Sequence, residues 1–362
     1  MSVIKRRKFI KAASIAAASS FYPGGLSAQP QKLKILFLGG TGFIGPHTVT
    51  TALAHGHDVT LFNRGRSNPG LFGNLETIIG DRNTDDINQL RGRQWDVVID
   101  TSTYFPRSIT SALNALDNKV KQYVLISTIS VYTHWSAGAD ESTPLRTVAD
   151  PTIEEVRQAE TYGGLKALSE QAAEKHLPGR VTTIRPGFIV GPGDRTDRFT
   201  YWPVRVARGG EMLAPGNGAD GMQFIDVRDL GEWIIHCLEN NITGIFNAHS
   251  PAGSLTLKNL LTACEEALHA NVEITWADIE FLRQHDLGAG SFPLWQPGGL
   301  ALSSEKAVAN GLQQRPLAET IADTFNWFTS LPPDRRAHLN AGIDPKTEQQ
   351  VLAAWHQLKD KQ

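Results

Sequence analysis

The segment Gly39-Gly40-Thr41-Gly42-Phe43-Ile44-Gly45 constrains this chain more than any other. It joins a short apolar run at 33–38 to a stretch at 44–54 whose helix-compatible spacing stops at Gly56. Strand, tight turn and helix in that order suit a pyrophosphate. Glycines at 39, 42 and 45 let the backbone come close to the anion, and the free N–H groups of the helix start, around Thr41, Phe43 and Ile44, face it. Further apolar runs at 57–62, 75–79, 95–99, 120–126 and 181–184, with helix-length segments between most of them, predict an α/β fold. The expected architecture is a Rossmann-type doubly wound parallel sheet covered on both faces.

The run at 57–62 ends at Asn63-Arg64-Gly65-Arg66, where an acid would be needed to hold the ribose hydroxyls of NAD. Arginine at that point can pair with a 2′-phosphate bidentately, so the expected cofactor is NAD(P) with the balance tilted toward NADP. Otherwise Arg64 is a solvated side chain. Asp81, just past the run at 75–79, is placed either to accept from an adenine amino group or simply to close a turn after Gly80.

Tyr162-Gly163-Gly164-Leu165-Lys166 puts a phenol and an ammonium four residues apart, hence on one face of a helix expected to begin near Ala159. A tyrosine in water holds its proton up to a pKa of about 10, but a nearby lysine charge and an oxidised nicotinamide favour the phenolate and a base near neutrality. Ser127-Thr128-Ile129-Ser130 follows the run at 120–126, at the carboxyl edge of the sheet, and offers hydroxyls to orient an alcohol.

With these elements in order, and with Arg185-Pro186-Gly187 leading into Val190-Gly191-Pro192-Gly193 and the later Phe224-Ile225-Asp226-Val227-Arg228-Asp229-Leu230, the chain over 34–328 resembles the extended branch of the short-chain dehydrogenase/reductase superfamily, the NAD(P)-dependent epimerases and dehydratases. The resemblance implies Tyr162 as general acid/base, Lys166 as the residue that bonds the nicotinamide ribose, and Thr128 as the hydroxyl that orients substrate. It also implies that Pro186 and Gly187 line the nicotinamide and that Thr101 and Ser102 pass the pyrophosphate and ribose. Asn63-Arg64 departs from the NAD-specific pattern and is reminiscent of atypical members allied to chloroplast stem-loop-binding proteins.

The chain carries 35 basic and 37 acidic side chains, yet Lys5, Arg6, Arg7, Lys8 and Lys11 concentrate five positive charges in the first eleven residues. Subtracting those five from the net −2 leaves −7, a balance that weighs against a nucleic-acid partner. Arg6-Arg7-Lys8-Phe9-Ile10-Lys11 followed by weakly apolar 12–18 resembles a twin-arginine export signal, with cleavage expected after Ala28. That implies the twin-arginine export machinery as a partner and a soluble periplasmic protein without a membrane anchor.

The expected organisation is a signal at 1–28, a dinucleotide-binding domain at 29–190 to which about 222–250 returns, a smaller C-terminal substrate-binding lobe over 191–331, and a helical tail at 332–362 that could build a homodimer. Tyr104, His134, Trp135, Trp202 and Arg228 are candidate contacts for a sugar-like substrate, though each also suits packing or a loop. His55 and His57 flank a turn with no third ligand in sequence, so no metal is expected. Cys237 and Cys264 are read as buried thiols.

Outside the cytoplasm free dinucleotide is scarce, so the cofactor should return to its starting state within each cycle. The expected function is reversible hydride transfer at a sugar or polyol carbinol with a tightly held cofactor. The alternative is a non-catalytic dinucleotide-binding or RNA-associated protein on the same fold.

Overall fold

The structure, a computed structural model, describes residues 31–157 and 160–361; the basic export-like segment and Ala159 lie outside the described residues. The first strands are β1 (Lys34–Leu38), β2 (Asp58–Asn63), β3 (Glu76–Ile79), β4 (Val97–Asp100), β5 (Gln122–Ile126) and β6 (Val181–Pro186). Short strands β7 (Phe188–Val190), β8 (Gly210–Pro215), β9 (Phe224–Asp226), β10 (Gly244–Ala248) and β11 (Val272–Ala277) follow. The helices are α1 (Ile44–Ala54), α2 (Pro106–Ala115), α3 (Tyr162–His176), α4 (Tyr201–Ala207), α5 (Val227–Glu239) and α6 (Leu257–Leu268). After them come α7 (Ile279–Gln284), α8 (Glu305–Ala309), α9 (Leu317–Ser330), α10 (Pro333–Arg336) and α11 (Pro345–Lys359).

Seven strands form one all-parallel sheet in the order β3-β2-β1-β4-β5-β6-β10. Ile35 and Phe37 of β1 face the core shared with α1 and α5, while Leu36 and Leu38 face the core shared with α2 and α3. All four are fully buried, as a strand covered on both faces requires. The sheet order reverses at β1 and β4, so a crevice opens beyond their carboxyl ends, where ligands of such sheets bind.

The glycine turn is fixed by contact. A Cβ on Gly45 would lie 2.3 Å from the carbonyl carbon of Gly40, so α1 meets the loop at a distance only glycine allows. Gly42, by contrast, faces open space.

A second core gathers Tyr201 and Trp202 of α4, Leu257, Leu260 and Leu261 of α6, Phe281 of α7 and Phe292. The C-terminal helix α11 is not a free surface element: Val351, Leu352 and Trp355 join this core and Glu348 is buried against Arg205. Trp202 is fully buried and its indole donates to Pro293 O at 2.8 Å. Trp202→Ala is expected to cost about 3–5 kcal/mol of unfolding free energy in urea titrations, the range for emptying a buried aromatic site.

Candidate active site

A cavity of about 1270 Å³ lies along the carboxyl edge of the sheet and is lined by every residue expected to touch a cofactor: Gly39, Thr41, Gly42, Phe43, Ile44, Gly45, Asn63, Arg64, Asp81, Thr101, Ser102, Lys166, Pro186 and Gly187. At its floor α1 begins with no side-chain cap and no acidic residue in its first turn. The helix start therefore offers unpaired N–H groups and the positive end of its dipole next to the open face of Gly42, a fit for a diphosphate.

Local bonds redefine several of these residues. Asn63 donates to Gly39 O at 3.3 Å and accepts from Gly65 N at 2.8 Å, so its amide braces the glycine loop. Asp81 accepts from Asn83 N at 3.0 Å, which closes the turn, and lies 4.0 Å from the Arg64 guanidinium. The side chains of Thr101 and Ser102 donate to Leu38 O at 3.3 and 3.1 Å.

Beneath them Asp100, with no exposed surface, accepts from Arg82, Thr103 and Tyr123. Burial alone would raise its pKa, but the Arg82 charge and these donors hold it below the usual carboxylate range.

The catalytic candidates converge. Gly163 and Gly164 make this possible: a Cβ on Gly163 would lie 2.1 Å from Ser130 O, and one on Gly164 2.7 Å from Val148. The first turn of α3 thus lies directly on the loop that carries Thr128. Tyr162 and Thr128 line the same cavity, and the Thr128 hydroxyl acts on the Tyr162 phenol to lower its pKa. Thr128 Oγ1 accepts from Ser130 N at 3.1 Å, which leaves its own proton free to be donated to the phenol oxygen.

Lys166 is 4% exposed and donates to Thr103 O at 2.8 Å and Ile126 O at 2.6 Å. Burial lowers its pKa to about 8. In the cavity as it stands burial raises the Tyr162 pKa, opposed by the Thr128 hydroxyl and by the charge of Arg198, while Lys166 donates to carbonyls.

Of the proposed substrate contacts, Tyr104 and Trp135 line the cavity, and the Tyr104 ring centroid lies 6.2 Å from that of Tyr162. Three do not. His134 is exposed and turned to Ser136; Trp202 is core; Arg228 of α5 is held by Asp226 at the end of β9 and by Asp323 of α9.

Sequence reasoning missed Asn68, Phe188, Arg195, Arg198, Gln296 and Trp327, all of which line the cavity. Asn68, at a left-handed φ of 45°, donates to Thr41 O at 2.9 Å and accepts from Arg195 at 2.9 Å, which bridges the glycine loop to the 193–198 segment. Arg335 and Asn340 in turn hold Asp197 and Arg195 O of that segment.

The expectation of no third ligand beside His55 and His57 is corrected, since Glu239 of α5 lies 2.9 and 3.3 Å from them. Leu33 N donates to His57 Nδ1 at 3.3 Å, which places the proton of the neutral ring on Nε2, toward Glu239, and leaves no lone pair there for an ion.

A family model described as NAD dependent epimerase/dehydratase family matches residues 35–248. Among curated proteins, the chain is 26% identical over 253 residues to the Epimerase family protein SDR39U1 of Bos taurus, covering 65% of this chain and 81% of that protein. It is 29% identical over 259 residues to the Chloroplast stem-loop binding protein of 41 kDa b of Arabidopsis thaliana, covering 67% and 65%. The Bordetella bronchiseptica enzyme WbmH, solved with NAD+, aligns with a TM-score of 0.62 at 18% identity over 83% of this chain and 99% of that one. The Bacillus cereus UDP-glucuronic acid 4-epimerase, solved with NAD, aligns at 0.60 and 18%, over 81% and 98%. These two likenesses establish the fold.

Two outcomes test the site. Gly42→Ala should leave the thermal midpoint of the nucleotide-free protein unchanged and weaken dinucleotide binding by about tenfold or more in calorimetry, whereas Gly45→Ala should lower the midpoint even without nucleotide. Lys166 binds its proton less tightly folded than unfolded, so wild-type stability should climb as pH rises from about 8 toward the free-lysine value near 10.4. Lys166→Met should lack that climb in urea titrations across the same interval.

Proposed function

This chain belongs to the NAD dependent epimerase/dehydratase family, and from that premise we propose that it is a redox-neutral enzyme of epimerase or dehydratase type, acting on a carbinol of a sugar or polyol with a tightly held NAD(P). The observation that carries this reading is that Tyr162, Thr128 and buried Lys166 line one cavity together with the open glycine loop. The bound nicotinamide would supply the hydride acceptor and donor.

Everything else falls to the chain. Thr128 receives the substrate hydroxyl and holds it against Tyr162. Tyr162 removes the hydroxyl proton and later returns it; burial raises its pKa, and the positive charge of an oxidised nicotinamide beside it would favour the phenolate. Lys166, anchored at two strand ends, offers its remaining N–H to a ribose hydroxyl.

Arg64 and Arg66 follow β2 where the Asn63 amide is already committed, which supports a 2′-phosphate and hence NADP over NAD. We place the protein in the periplasm on the strength of Arg6-Arg7 and the apolar stretch after them, exported by the twin-arginine machinery with its cofactor already bound. Retention of the dinucleotide then follows from the scarcity of free cofactor there. The final helices leave a homodimer as part of the same proposal.

A second reading, a non-catalytic or RNA-associated protein, is favoured by the name of the Arabidopsis relative. The Tyr162, Lys166 and Thr128 set and the net −7 without the N-terminal charges speak for the enzyme.

Exported protein, purified without added nucleotide and then denatured, should release about one equivalent of NADP or NAD identified by mass and absorbance. Tyr162→Phe should keep that nucleotide and lose about 10²–10⁴-fold in turnover, the usual worth of a general acid/base. An empty protein with weak dinucleotide affinity overturns the retained-cofactor proposal; unchanged biological activity in Tyr162→Phe favours the second reading.

A further inference from the structure

The cations that line the cavity are mostly committed. Arg82 is paired with Asp100, Arg195 is bonded to Asn68, and Lys166 is bonded to two carbonyls. Arg64 and Arg66 follow β2, on the ribose side, with Arg64 4.0 Å from Asp81.

Arg198 differs. It is half-buried, its Nε donates to Thr196 Oγ1 at 3.0 Å, and its guanidinium carbon stands 5.2 Å from the centroid of the Phe188 ring. Among the described residues no carboxylate lies within ion-pair distance of it, and its two terminal nitrogens have no hydrogen-bond partner. The two acids nearest along the segment are engaged elsewhere: Asp197 is paired with Arg335 and Asp194 is turned onto Thr196.

The consequence is geometric. Stacking on Phe188 occupies the face of the guanidinium, and the Thr196 bond occupies Nε, which fixes the plane while leaving the outer N–H edge free. Two N–H groups held in a plane match two oxygens of a carboxylate or phosphate, and a part-buried cation without a partner gains most from such an anion. Phe188 stands one residue beyond Gly187, and Tyr162, Thr128 and Trp135 line the same cavity. The Arg198 charge reaches the Tyr162 phenol.

We propose that Arg198 determines specificity by binding an oxyanion, a carboxylate or a phosphate, carried on the same sugar or polyol skeleton as the reacting carbinol. The proposal rests on the reading of Tyr162 as the group that faces that carbinol. A neutral sugar would leave the Arg198 charge facing nothing. An acid sugar or sugar phosphate satisfies it and is fixed at two points, its hydroxyl at Tyr162 and its anion at Arg198.

The test is calorimetric, on the full chain saturated with the dinucleotide it binds, using D-glucuronate, D-glucose 6-phosphate and neutral D-glucose as probes. At least one anion should bind about tenfold or more tighter than glucose, the worth of a hydrogen-bonded charge pair. Whichever anion does so identifies carboxylate or phosphate as the source. Arg198→Gln should bring the preferred anion to within about twofold of glucose while dinucleotide affinity is unchanged, and Arg198→Lys, which keeps the charge but not the planar fork, should retain part of the preference.

Tyr162→Phe should retain the whole of the preference. Equal binding of charged and neutral probes, no binding of either anion, or a preference that survives in Arg198→Gln overturns the inference. Failure of the dinucleotide to bind is read in a separate, earlier titration and counts against the redox proposal instead.

Discussion

A single buried ammonium organises the site. Lys166 has almost no exposed surface, and burial of a charge is unfavourable unless its donors are satisfied. Two backbone carbonyls satisfy two of its three, Thr103 O just beyond β4 and Ile126 O at the end of β5. That geometry exists only because neighbouring parallel strands end level with each other and α3 crosses above them.

Two buried ion pairs stand on either side, Arg82–Asp100 and Arg185–Glu170, and the charges of Asp100 and Glu170 partly offset the burial of the lysine. The Arg185–Glu170 pair extends to Tyr132 and Asn247, so the platform runs from β4 to β10. Replacing one member of such a network leaves the others buried and uncompensated, which ties the shape of the cavity to residues that never touch a ligand.

Much of the fold was readable because its signals are local. The glycine turn dictates a strand before and a helix after, and α1 spans the stretch that its periodicity marked, while the strand ends differ by one or two residues. The Tyr162-to-Lys166 spacing was also local, and the structure brings both to the cavity. Gly163 and Gly164 between them were in plain view, but their meaning depends on Ser130 and Val148, which no spacing rule connects to them.

The same distance in sequence explains what was misread. Arg228 suited a ligand until α9 supplied Asp323, and Trp202 suited a sugar ring until Pro293 and the second core enclosed it. His134 belongs to a loop whose exposure nothing local specified. Glu239 reaches His55 and His57 from 184 and 182 positions away, beyond any motif window. Arg198 was invisible for the opposite reason. Its importance lies in lacking a partner, and only coordinates reveal which arginines are already taken.

The bridge at Asn68 reaches well beyond its own two bonds. It ties the glycine loop to the 193–198 segment, which is in turn fastened to Arg335 and Asn340 near the chain's end. The clasp across the crevice is therefore fastened on its far side to Arg335 and Asn340 of the C-terminal region rather than to the sheet. The C-terminal region is thereby part of what holds one wall of the crevice to the other, although neither Arg335 nor Asn340 lines the cavity.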